Sequence, residues 1–130
     1  MTVLTSPKTL GELLKREFDR DYHREVVTLK AGTNYPLGSV LGRITADGKY
    51  ELATKEAASP AATGSEIACA VLIEAVDATE ADAQGLVLVR GPVILADAAL
   101  HFDASVDDEA AETDKHAQLA AFGLVVRHAV

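Results

Sequence analysis

The sequence predicts a mainly β fold with one or two short helices, and three observations carry that prediction. Two apolar, β-branched runs, residues 67–76 and 85–95, are hardly interrupted by polar side chains. That is the composition of strands covered on both faces. Asp47-Gly48 lies between two shorter strand-like runs. It is a dipeptide favoured in type I′ hairpin turns, because Asp and Gly tolerate the positive φ that such turns need. A helical pattern with early acids and a closing glycine occurs near the C-terminal end, over about residues 108–121.

At 130 residues the chain is read as one domain with room for an arm. It has no Trp, three Tyr and three Phe, so small apolar side chains must build the core. A thin core of this kind favours further burial by self-association. The net charge is −8, unevenly spread: residues 1–30 carry six basic and five acidic side chains, and residues 31–130 carry six and fifteen. An acidic body repels phosphate backbones, so no nucleic-acid partner is expected. Cys69 is the single cysteine and excludes an intrachain disulfide, which fits a reducing compartment. Residues 1–6 lack a basic region followed by an apolar one, and no apolar run approaches the roughly 20 residues that span a bilayer. The expectation is a soluble chain made in the cytoplasm, with no membrane partner.

In chain order, residues 1–25 read as an N-terminal arm and residues 26–130 as the β-rich domain. Ser6-Pro7 is a helix start, and Leu10, Leu13, Leu14 and Phe18 recur at spacings of one narrow helical face. Three turns are marginal alone in water. The arm is either mobile in the free protein or ordered against a partner. Residues 26–30 are a short strand, 31–38 a Gly, Asn and Pro turn, 39–45 a strand, and 49–52 the strand returning from Asp47-Gly48, together a compact meander. Residues 54–65 hold Pro60 and Gly64 without periodicity and read as an exposed loop, with a short helix over 55–58 as the alternative. The two central strands follow, joined by the acidic connection 77–84. Residues 96–102 are either a helical turn or an extended connector. Ser105 or Asp107 caps the later helix, Leu119 and Phe122 face inward, and Gly123 stops it. Residues 124–130 are too apolar to stand free and are expected to pair with the sheet.

No catalytic or metal constellation emerges. His23, His101, His116 and His128 lack ligand spacing, and one cysteine cannot build a thiolate zinc site. The acids at 77–82 and 103–109 lack the alternation and central Gly of a calcium loop. Cys69 as a nucleophile is set against Cys69 as a small hydrophobe, and its apolar strand favours the second. Asp114-Lys115 is similar to the acceptor pair of lipoyl-carrier domains but falls on the predicted helix, not on a hairpin tip. It leaves a small β-clip or carrier-like module of an enzyme complex as the alternative reading.

Residues 26–32 (VVTLKAG), 35–45 (YPLGSVLGRIT) and 48–50 (GKY) resemble, in that order, the opening of the head decoration protein D family of tailed bacteriophages. Residues 68–72 (ACAVL), 76–78 (VDA), 86–91 (LVLVRG) and Leu100 continue the resemblance. It implies a small β-clip-like or β-barrel-like decoration-protein fold, no enzymatic activity and no cofactor. It implies a homotrimer on the outer surface of the virion, made in the host cytoplasm, that cements the major capsid protein of the expanded head. It also implies a segment near the N-terminus that is loose in the free protein and orders on the capsid. For the capsid-binding site the expectation is strand addition through Arg24, Val26, Val27, Thr28 and Leu29, with an internal strand of the domain as the alternative for 26–29.

Overall fold

The computed structural model describes residues 10–17, 20–55 and 64–127. Among them are ten strands: β1 (Leu14–Glu17), β2 (Arg24–Leu29), β3 (Thr33–Tyr35), β4 (Val40–Arg43), β5 (Tyr50–Leu52), β6 (Ala68–Leu72), β7 (Val76–Ala78), β8 (Ala83–Leu88), β9 (Val93–Ala96) and β10 (Leu124–Arg127). Two single-turn helices, α1 (Leu10–Leu13) and α2 (Arg20–His23), precede the body, and α3 (Glu109–Ala120) packs near its end. The mainly β expectation holds.

β2, β5, β4, β6 and β8 close into a barrel in that order. β1, β9 and β10 form a second sheet and β3 pairs with β7. The two central runs pair as expected, β6 against β8 with Val71 opposite Leu88 and Leu72 opposite Val87. Their continuous apolarity has a direct cause. Leu29, Tyr35, Leu41, Ala70, Leu72 and Val87 fill one core. Val40, Val71, Leu88, Val93, Leu95, Leu119 and Leu124 fill a second. Along Ala70–Leu72 and Leu86–Leu88 successive residues serve different cores, so both faces of these stretches are covered.

Several local expectations change. The second run is not one strand: it breaks at Arg90-Gly91-Pro92, where Gly91–Pro92 is cis, and β9 joins the other sheet. The acidic connection contains β7, paired with β3. Residues 26–52 are therefore no meander, and only β4 and β5 form a hairpin. That hairpin does not turn on Asp47-Gly48 alone. The Ile44 N–H donates to the Lys49 carbonyl at 2.8 Å and the Gly48 N–H to the Ile44 carbonyl at 2.9 Å, giving a wider turn with Gly48 at φ +73°. The Asp47 carboxylate, accepting from the Lys49 N–H at 3.0 Å, holds it.

The helix predicted through Leu10, Leu13, Leu14 and Phe18 ends after one turn, and β1 pairs antiparallel with β9 from Leu14 opposite Leu95. Leu13 is fully buried in the second core. Residues 10–17 and 20–25, within the segment read as an arm, thus lie against the body, and residues 1–9 lie outside the described residues. The alternative helix over 55–58 falls mostly on residues that are not described. Residues 96–102 combine both readings, a 3-10 turn at Asp97–Ala99 followed by extended Leu100 and a bridge from His101 to Ser39.

α3 is capped by Asp108, not Ser105 or Asp107, through an Ala111 N–H donated to Asp108 Oδ1 at 2.7 Å. That bond, aided by Lys55, holds the Asp108 carboxyl below the usual carboxylate range. The stabilisation it gives is complete above the ordinary aspartate pKa of about 4 and is lost as pH falls through the lower folded value. Asp108→Ala is expected to melt earlier than wild type at pH 7, and calorimetry should find the gap closing as pH drops below about 4. Leu119 faces inward as expected, but Phe122 is 44% exposed. The turn through Gly123, at φ +82°, carries the chain away there and directs the Phe122 carbonyl to the Gly91 N–H. β10 then pairs in parallel with β9, Leu124 opposite Val93, as the apolar terminus required. Residues 128–130 are not described.

Candidate functional site

Strand β2 holds the residues singled out for strand addition. One edge is used along its whole length: β8 pairs with it from Arg24 opposite Leu88 to Leu29 opposite Ala83. On the other edge, among the described residues, β5 meets it only where Leu29 lies opposite Tyr50. The Lys30 N–H continues that contact to the Tyr50 carbonyl at 2.8 Å. Val27 and Leu29 point into the barrel core, whereas Val26 is 63% exposed. Thr28 is half-buried.

Ion pairs fix the start of the strand. The Arg24 guanidinium donates two bonds to the Glu17 carboxylate, at 2.9 and 2.8 Å, with little exposure of either side chain. A bidentate pair of this kind fixes orientation as well as distance. It ties β2 to β1 across the undescribed residues 18–19. Arg90 donates to the Glu25 carboxylate at 2.5 Å and to the Tyr22 carbonyl at 2.6 Å. Glu17, Tyr22 and Arg90 are parts of this region that the sequence reading missed. No spacing rule relates Glu17 to Arg24 or Glu25 to Arg90, since a fold-dependent approach makes each pair.

The other candidates are placed as follows. Cys69 is half-buried on β6, and burial pushes its thiol up, away from the thiolate a nucleophile needs. Lys115 is 2% exposed and lies in the buried stripe Ala111, Lys115, Leu119 of α3. Its Nζ donates to the Glu66 carbonyl and to Gln118 Oε1. The carrier-like reading is thereby left without an accessible acceptor amine. His23 is 2% exposed, its Nδ1 3.0 Å from the Arg90 carbonyl. His116 leans on the Phe102 ring at 5.9 Å. His128 lies outside the described residues. Asp77, Thr79, Glu80, Ala81, Asp82 and Ala83 line a depression of about 420 Å³. Two of its acids already have partners: Asp77 accepts from Thr79, and Asp82 from Lys49 and the Ala31 N–H, which lower both carboxyls. No three metal-ligating side chains converge among the described residues. No helix among them is long and apolar enough to cross a membrane.

What stands out among the described residues, then, is not a cavity of reactive groups but a strand with one largely open edge, anchored by ion pairs. The family model of the bacteriophage lambda head decoration protein D matches residues 3–124. The chain belongs to the head decoration protein D family. The match takes in all of β2 and nearly the whole described body. Head decoration proteins of this family are structural and non-enzymatic, which places the chain in the phage virion, associated with the capsid. Cys69 and Lys115 in this decoration-family chain are accordingly parts of its packing. No curated protein matches the chain significantly.

Proposed function

We propose that the chain is a cementing protein. As a homotrimer it binds the outer surface of the expanded phage head and stabilises contacts between subunits of the major capsid protein, after synthesis in the host cytoplasm. Family membership over residues 3–124 is the observation that carries the reading.

Attachment is by strand addition along the open edge of β2. Arg24, Val26, Val27 and Thr28 offer that edge, and Leu29 marks its end, because Tyr50 pairs there. Main-chain bonds set register, and the outward side chains on alternate positions select the incoming strand. Three such strands per trimer act at high effective concentration, so each attachment can be weak while the whole is tight. A ligand bound only to the expanded shell favours that shell by linkage.

Purified protein is expected to sediment as a trimer and to bind expanded heads that lack decoration, raising their resistance to heat or chelators. Val26→Asp is expected to weaken head binding by on the order of 10-fold, by setting a charge on the β2 edge that meets the capsid, with the circular dichroism spectrum unchanged. A chain that neither trimerises nor binds such heads refutes the proposal.

A further inference from the structure

Among the described residues the large apolar side chains left exposed are Tyr22, Val26, Ile67, Phe122 and Val125. Three of these are gathered at one end of the molecule. The Val89 N–H donates to the His23 carbonyl at 3.0 Å, the Gly91 N–H to that of Phe122 at 2.8 Å and the Val93 N–H to that of Gly123 at 3.1 Å. Tyr22 and Phe122 are thereby both held next to the loop from Val89 to Val93. The Arg90 guanidinium lies 5.4 Å from the Tyr22 ring centroid. Leu124 is buried and Val126 packs against the core, so Val125 and Arg127 point the other way, out of the three-stranded sheet. Val125 lies opposite Ile94 in the parallel register, extending the apolar strip across two strands.

We propose that this end, formed by Tyr22, Arg90, Ile94, Phe122, Val125 and Arg127, is the surface through which one copy of the chain holds the next. The inference rests on the homotrimer reading above and adds the residues that make the trimer. Interfaces concentrate aromatic side chains and arginine while shedding acids. This end has that make-up, although the chain as a whole carries −8. Copies so charged repel one another, and their contact belongs where the local charge is not acidic. Here Arg24, Arg90 and Arg127 stand against Glu17 and Glu25. A three-fold contact is also head-to-tail, joining two different surfaces. With Arg24 and Arg90 neutralised by Glu17 and Glu25, exposed Arg127 carries the charge left over among these side chains, and it meets the acidic body of the neighbouring copy, a complementarity that fixes orientation.

The test is sedimentation velocity with native mass measurement on wild type, Phe122→Asp, Val125→Asp and Arg127→Glu, each checked for folding by circular dichroism. Wild type is expected to be trimeric. The two aspartate variants should require at least about 30-fold higher concentration to assemble, and Arg127→Glu about 10-fold, with a weaker response to salt. If an aspartate variant does not fold, Arg127→Glu decides, because that side chain is exposed. A monomeric wild type removes the trimer reading itself. A trimeric wild type with all folded variants equally trimeric overturns this surface alone. Variants that stay trimeric but no longer bind heads assign the end to the capsid, which overturns it as well.

Discussion

Leu13→Ala is expected to destabilise the protein by about 3 kcal/mol, seen as a lower denaturant midpoint with unchanged slope. The side chain has no exposure and sits in the core with Val40, Val71, Leu88, Leu95, Leu119 and Leu124. Truncation removes its transfer free energy and leaves a hole lined by residues of the barrel, the second sheet and α3. Elements that already meet each other cannot collapse fully into that hole, which puts the cost well above that of an exposed leucine. Leu14→Ala, at a partly buried neighbour, should cost clearly less. The pair of variants measures how firmly residues 10–17 belong to the body. A change below about 0.5 kcal/mol for Leu13→Ala would detach the segment from it.

The difficulty of reading that segment has a physical origin. Leu10, Leu13 and Leu14 suit a helical face, and the charges that follow suit solvent. What overrides the helix is β9, which lies far along the chain and offers a backbone edge to Leu14–Glu17. Local spacing carries no trace of such a partner. The central pair was legible for the opposite reason: most residues of β6 and β8 are apolar and feed one core or the other, so their burial is written into the run itself. The break between β8 and β9 was signalled by Gly91-Pro92, but an apolar run on each side masked it. Phe122 was expected inward from helical periodicity, which stops counting once the chain turns out of α3 toward Gly123.

For the site the division is similar. The β-branched run from Val26 to Leu29 marks a strand in the sequence, and the structure puts Val27 and Leu29 against the barrel core and leaves Val26 exposed. Which edge of β2 is used depends on β8 reaching it and β5 falling short, a property of barrel closure. Glu17 and Arg90 enter only through that closure, as ion-pair partners of Arg24 and Glu25.

Gly91→Ala is expected to cost about 3 kcal/mol or more, or to prevent folding. A Cβ at that position would overlap the Gly123 carbonyl and come within 2.7 Å of the Gly123 Cα. Both obstacles are backbone, so no side chain can swing aside. Gly123→Ala meets the same contact from the other side, with Gly91 Cα at 2.8 Å, and adds the strain of φ +82°. Gly32→Ala is the control: its φ is +103° but nothing lies within 4 Å, so only the conformational cost of about 1 kcal/mol applies. Urea unfolding of the three variants separates crowding from backbone strain. Equal costs at 32 and 91 would mean that the two glycines do not touch in solution. Their contact also seats Phe122 and β10 beside β9, so Gly91→Ala should lose assembly in step with folding. Arg127→Glu should lose assembly while the fold stands, and that contrast distinguishes a residue that builds the surface from one that meets the partner.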